Sequence, residues 1–176
     1  MINLRRIRNS RSEDFRFMEA LIVQSFPVEE YRELHELSRM TEETENFHNN
    51  IILDETKPVG LLTFWDFGTF HYIEHFATLP SCRNQGYGQS AMNHLLSLLH
   101  TPVVLEVEPP GCEIACRRIG FYSRLGFQLW KNKYRQPPYR TGQDWLPLYL
   151  MAHGNLSPDH DFNIVVARIH KEVYNA

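Results

Sequence analysis

Tyr72-Ile73-Glu74-His75-Phe76-Ala77-Thr78-Leu79-Pro80-Ser81-Cys82-Arg83-Asn84-Gln85-Gly86-Tyr87-Gly88-Gln89 runs from an aromatic, β-prone stretch through a short polar loop into a pair of glycines. Beyond the glycines the apolar period lengthens to three or four. Ala91, Leu95 and Leu98, with Met92, Leu96 and Leu99, line one side of a helix predicted over 86–100. A strand, a turn and a helix in that order lead to the next strand, 103–108, which is therefore expected to lie parallel to the first. Gly86 and Gly88 allow backbone N–H groups to converge at the positive end of the helix, a cradle suited to phosphate, and Arg83 adds a cation at its rim. The same glycines also suit a plain tight turn. A P-loop needs Lys-Ser/Thr after the second glycine, where Gln89-Ser90 stands, and a dinucleotide fingerprint needs a third glycine.

Upstream, residues 4–8 alternate as a first strand, and Ser12 caps a helix bearing Phe15, Met18, Leu21 and Ile22 that Pro27 ends. A second helix is predicted over 29–40, with Tyr31, Leu34 and Leu37 on one side, followed by a polar connection over 41–50. Residues 50–54, 59–67 and 70–78 read as three strands. Downstream of 103–108, Pro109-Pro110-Gly111 precedes a helix ending near Leu125 and Gly126, and 127–134 and 145–152 read as final strands. Residues 158–174 form a last helix outside this pattern. The expectation is a mixed α/β fold, a mostly antiparallel central sheet flanked by helices, with one domain over 1–152 and a C-terminal helical extension over 153–176.

Composition narrows the function. The chain has 176 residues, of which 43% are apolar, enough to bury a core without disulfides. Eighteen Lys and Arg against 21 Asp and Glu give −3, without the basic surplus of a general nucleic-acid binder. The block 29–45 carries seven acids and two arginines and is read as a solvated helix face that also suits a cationic ligand. No apolar run approaches the roughly 20 residues of a membrane span and no secretory signal opens the sequence, so a cytoplasmic protein without a membrane partner is expected. Cys82, Cys112 and Cys116 form no CxxC. His71 and His75, four residues apart on a strand, are separated by about 13 Å, too far to share a metal. No metal is expected.

Arg83-Asn-Gln-Gly86-Tyr-Gly88 fits the pattern Arg/Gln-x-x-Gly-x-Gly, and Phe121-Tyr122-Ser-Arg-Leu-Gly126-Phe127 follows at the separation seen in the GNAT N-acetyltransferase superfamily. The chain resembles that family over about residues 51–151. The resemblance implies acetyl-CoA as co-substrate. Backbone groups of Phe76, Ala77 and Thr78 would pair with the pantetheine arm, and the amides of Arg83, Asn84, Gln85, Gly86, Tyr87, Gly88 and Gln89 would hold the pyrophosphate. It also implies a sheet that splits between this strand and 103–108, with the thioester in the gap. The sequence departs from the family in having Ala115 where an Asn is usual, and Arg117 or Arg118 is then the expected phosphate contact.

Acyl transfer to an amine needs a base for the ammonium and a proton for the departing thiolate. The resemblance assigns the acid to Tyr122, whose other reading is a packed core aromatic. Glu74 is the candidate base, alternating with Tyr72 and Phe76 onto one strand face; the same carboxylate also suits an ion pair with an arginine. On this alternation His75 points to the other face. Glu106 and Glu108 on the next strand are secondary alternatives for the base or contacts for a cationic acceptor; Tyr31, Tyr72, Glu106 and Tyr139 are candidate acceptor contacts, with Trp65 and the loop 136–139 beside them. The expected activity is direct transfer of acetyl from CoA to a primary amine of a small molecule or peptide. The alternative is a non-catalytic acyl-CoA sensor of the same fold, and a homodimer is compatible with either.

Overall fold

The computed structural model describes residues 1–176. Ser12 is extended and its hydroxyl accepts the Phe15 N–H, which starts α1 (Glu13–Ser25) after β1 (Ile2–Arg6). There follow α2 (Leu34–Glu43), β2 (Phe47–Asp54), β3 (Lys57–Asp66), β4 (His71–Thr78), α3 (Tyr87–Leu98), β5 (Val103–Val107), α4 (Glu113–Arg124), β6 (Gln128–Gln136), β7 (Leu146–His153) and α5 (Pro158–Tyr174). The seven strands form one sheet in the order β1-β2-β3-β4-β5-β7-β6. Only β4 and β5 run parallel, joined by the crossover through α3; every other neighbouring pair is antiparallel.

Each face of the sheet buries its own apolar cluster. On one, Phe15, Met18 and Ile22 of α1, Leu37 and Met40 of α2 and Val165, Ile169 and Val173 of α5 pack with Ile51, Leu61, Trp65, Tyr72 and Val104. On the other, Ala91, Met92 and Leu95 of α3 and Tyr122 of α4 pack with Ile52, Leu62, Ile73 and Leu105. Tyr72 and Ile73 at the start of β4 thus serve opposite layers, as adjacent residues of a strand do.

Two elements differ from the sequence reading. The helix expected over 29–40 is a single 3-10 turn, Val28–Glu30, then an extended link, and α2 begins only at Leu34. The link carries Tyr31 and Arg32 inward, and Arg32, although an arginine, is 6% exposed. Its guanidinium reaches Glu74 and lies over the rings of Tyr139 and Trp65, 5.2 and 5.9 Å from their centroids. The polar connection expected over 41–50 is half strand: β2 starts at Phe47, and Asn49, fully buried, donates to the Thr41 hydroxyl at 3.0 Å.

The third difference sits in β4. Tyr72 and Ala77 belong with the α1/α2/α5 layer, whereas Ile73 and Phe76 belong with the α3/α4 layer, so the alternation slips by one residue between them. The slip is a β-bulge: Phe64 of β3 faces Ile73 and Thr63 faces His75, leaving Glu74 unpaired. Phe76 consequently turns away from Glu74. His75 stays on the side of α1 and α2, its Nε2 2.8 Å from the Glu30 carbonyl and its ring against Phe26. The expectation that Tyr72, Glu74 and Phe76 share a face with His75 opposite is corrected here by the bulge.

Arg32→Met removes the cation that compensates a fully buried carboxylate and is expected to destabilise the fold by about 3–5 kcal/mol in urea unfolding. The double variant Arg32→Met/Glu74→Met, which leaves neither charge of the pair unpartnered, is expected to lose clearly less.

Candidate active site

β4 and β5 pair over three residues only, His71 with Val103, Tyr72 with Val104 and Ile73 with Leu105. Beyond Ile73 the bulge turns β4, and beyond Leu105 β5 stays with β7, so the two strands part. Glu74 and Glu106 are the first residues past the last pair. Each stands at the root of the resulting gap.

On the β4 side, residues 76–78 pair with β3 and with no strand on their other edge. Their free backbone groups line a cleft of about 670 Å³ together with Arg83, Asn84, Gly86, Tyr87, Gly88 and Gln89. Gly86 caps α3 in the left-handed region (φ +81°), and nothing lies within 4 Å of where its Cβ would be. The N–H groups that start α3 therefore face an open concavity, with Arg83 exposed at the rim and Arg117 and Arg118 of α4 across from it. An extended arm on a strand edge, ending in a pyrophosphate on a helix N-terminus, fits this shape and charge. Gln85 is the exception among the expected contacts: it does not line the cleft, and its side-chain Nε2 donates back to the Ser81 carbonyl at 2.7 Å.

A smaller cavity, about 110 Å³, fills the gap itself; Phe26, Phe76, Arg118 and Tyr122 line both spaces. Its walls carry four carboxylates, Glu30, Glu74, Glu106 and Glu108, against one cation, Arg118. Two of the four are neutralised. Glu74 accepts from Arg32, from Trp65 Nε1 (2.7 Å) and from the Tyr139 hydroxyl (2.8 Å), and Glu108 meets Arg118 at 3.2 Å. Burial works against the Glu74 charge, but the Arg32 guanidinium outweighs it and holds the carboxyl below its ordinary range. Glu74 is thus held as an anion by three donors, two on Oε1 and one on Oε2. The ion pair with an arginine, the other reading of this residue from the sequence, is what the geometry holds, and it disfavours Glu74 as the base.

Glu106 has the opposite environment. No cation bonds it; its partners are the hydroxyls of Tyr134 and of Tyr174, the latter at 3.0 Å. Burial raises its pKa to about 7, and the hydroxyls of Tyr134, Tyr72 and Tyr174 keep it from rising further. Tyr122, on the α4 side of the cavity, is pushed up to about 12 by burial and so keeps its proton throughout the neutral range. Of the remaining expected acceptor contacts, Tyr139 lines the cavity but Tyr31 and Tyr72 do not. Tyr31 is buried with the Arg140 guanidinium 5.3 Å above its ring, and Tyr72 is fully buried with its hydroxyl 3.1 Å from that of Tyr174. Gln136, the first residue of the loop expected to face the acceptor, lines the cavity, as does Glu30, which the sequence marks only as one acid of its block and no periodic signal sets apart.

Residues 4–127 match the family described as Acetyltransferase (GNAT) family. The chain belongs to the GNAT acetyltransferase family. A GNAT-family protein of Bacteroides thetaiotaomicron is similar at 50% identity over 99% of both chains, with a TM-score of 0.96. Two remoter structures share the fold. They are a ribosomal-protein-alanine N-acetyltransferase of Escherichia coli (17% identity, 89% of this chain and 99% of that one, TM-score 0.61) and NAA60 of Arabidopsis thaliana in complex with acetyl-CoA (18%, 87% and 98%, TM-score 0.63). Among curated proteins none matches. GNAT membership makes the protein an acyltransferase, and acetyl-CoA is the donor the family uses.

In Gly86→Glu the new side chain enters an open concavity, so the variant is expected to fold, with about 1–2 kcal/mol of left-handed backbone strain. Its carboxylate would face the pyrophosphate. Calorimetry is expected to show acetyl-CoA binding to the parent protein and a loss of about 100-fold or more in the variant.

Proposed function

We propose that the protein transfers an acetyl group directly from acetyl-CoA to the primary amine of a small cationic acceptor, with Glu106 as the base and Tyr122 as the acid. One observation carries the reading: Glu106 and Tyr122 line the same small cavity, and that cavity opens beside Tyr122 into the cleft suited to the CoA arm. The donor supplies an activated acetyl thioester; the protein must supply a free amine and a proton. A primary alkylamine has a pKa near 10, so it arrives as an ammonium. The uncompensated acids of the cavity, Glu106 and Glu30, attract that charge, and Glu106, titrating near neutrality, accepts a proton from the nitrogen. The freed nitrogen attacks the thioester carbon, the C–S bond breaks, and the Tyr122 hydroxyl gives its proton to the departing thiolate, while the second proton released by the nitrogen restores the phenol.

Two features favour a small acceptor over a peptide. The loop between β6 and β7 is folded over the gap and pinned by Arg140, which bonds Glu33 at 2.6 Å and the Val28 carbonyl. It brings Tyr139 down onto Glu74, so the space beside Glu106 is a pocket rather than a groove. Gln136, 4% exposed, lines this pocket with its amide nitrogen unpartnered. A polar group on a small acceptor, met by a turn of this side chain, would satisfy that nitrogen.

Steady-state assays over a panel of diamines, monoamines and short peptides test this. Small diamines are expected to be acetylated fastest; a clear preference for peptides would overturn the acceptor class. Glu106→Gln is expected to lower kcat/KM by about 100-fold or more, and Tyr122→Phe to lower kcat while acetyl-CoA still binds. Glu106 must be ionised to accept a proton. The parent kcat/KM should therefore fall about tenfold per pH unit below about 7, and Glu74→Gln, which removes a negative charge that raises Glu106, should move that limb to lower pH without abolishing turnover.

A further inference from the structure

Residues 4–127 carry the family match, and Tyr174 lies far beyond it, at the last position of α5. The helix is held by a stripe of buried residues at i, i+4 and i+8, namely Val165, Ile169 and Val173, in the same apolar cluster as β3 and β4. Asn175 ends it in the left-handed conformation, and the Ala176 N–H closes on the His170 carbonyl at 3.0 Å. The His170 ring lies 3.1 Å from the Arg135 carbonyl of β6. Stripe, cap and side bond together fix where Tyr174 emerges. Its ring lies 4.9 Å from that of Tyr139, centroid to centroid, and its hydroxyl reaches between two strands of the sheet.

There the Tyr174 hydroxyl donates to Glu106 Oε2 at 3.0 Å and stands 3.1 Å from the Tyr72 hydroxyl. Tyr134 donates to the other oxygen, Oε1. Since a phenol donates one proton, the chain of bonds runs from Tyr72 to Tyr174 to Glu106. We propose that α5 is part of the active site: Tyr174 is a positioning residue that, with Tyr134, clamps the Glu106 carboxylate at the root of the gap and stabilises its charged form. This deepens the assignment of Glu106 as base and rests on it for its catalytic meaning, though not for its geometry.

The clamp is built from neutral donors, and that matters for what Glu106 can do. A cation in place of Tyr174 would leave Glu106 a fixed anion like Glu74. With no donor there, a carboxyl buried beside Glu74 would stay protonated at neutral pH. The other groups facing Glu106 act in known directions. Glu74 of β4 raises it; the hydroxyls of Tyr134 of β6 and Tyr72 of β4 lower it, the first by donating to it and the second through Tyr174. Glu30, Glu108 and the Arg118 and Tyr122 side chains of α4 share the cavity, and Tyr139 is held by Glu74.

The test reads Glu106 directly. Carbon-13 NMR of the glutamate side-chain carboxyl, assigned with Glu106→Gln, follows its titration in the full chain without donor or acceptor. Tyr174→Phe keeps the ring and removes the donor, so the Glu106 midpoint is expected to rise by about one pH unit. Thermal unfolding checks that the variant is folded. Incorporating 3-fluorotyrosine at position 174, a stronger donor of nearly the same shape, is expected to move the midpoint down. In an assay with an accepted amine, the acid limb of kcat/KM should move with the NMR midpoint, whereas mere loosening of α5 would lower kcat/KM at every pH alike. An unmoved midpoint in both variants would overturn the clamp. Moved midpoints with full activity in Glu106→Gln would instead leave the clamp standing and overturn Glu106 as the base.

Discussion

The parting of β4 and β5 after Ile73 and Leu105 governs the rest of the molecule. Parallel strands in a sheet ordinarily stay paired, because each backbone group left without a partner costs free energy unless water or a ligand satisfies it. Here the bulge at Glu74 turns β4 away, and antiparallel pairing with β7 carries β5 the other way. The unpaired edge at 76–78 becomes the wall of the larger cleft. The gap between the strands becomes the smaller cavity, and the two carboxylates at its root become neighbours.

Those carboxylates show how environment divides two identical groups. Glu74 is bonded by a guanidinium, an indole N–H and a phenol; Glu106 is bonded by phenols alone. A charged partner fixes the first as an anion, and neutral donors leave the second titrating near neutrality. The Arg32–Glu74 pair adds little net stability, since desolvating both charges offsets most of their attraction. Its contribution is to occupy Glu74, to hold Tyr139 over the gap and to tie the link before α2 to the sheet.

Much of this was legible in the sequence. The order of elements, the single parallel pairing through α3 and the glycine turn all follow from local spacing and from Gly86, whose left-handed backbone only glycine takes without strain. What spacing does not carry is a slip in it. Strict alternation placed Phe76 with Glu74 and His75 opposite, and one inserted residue reversed both. Arg32 was hidden for a related reason: seven acids around it suggested a solvated face, and nothing local distinguishes the arginine that turns inward from Arg39, which does not. Tyr174 lies 68 positions from Glu106, so only the packing of α5 brings them together.

The central claim is that the gap between β4 and β5 holds donor and acceptor between Tyr122 and Glu106. A crystal structure with CoA joined through its sulfur to a small diamine tests it most directly. The account predicts the pantetheine arm hydrogen-bonded along residues 76–78, the sulfur beside the Tyr122 hydroxyl and the linked nitrogen facing Glu106. A sulfur outside the gap, or a nitrogen directed at Glu74 with the Arg32 pair broken, would contradict it.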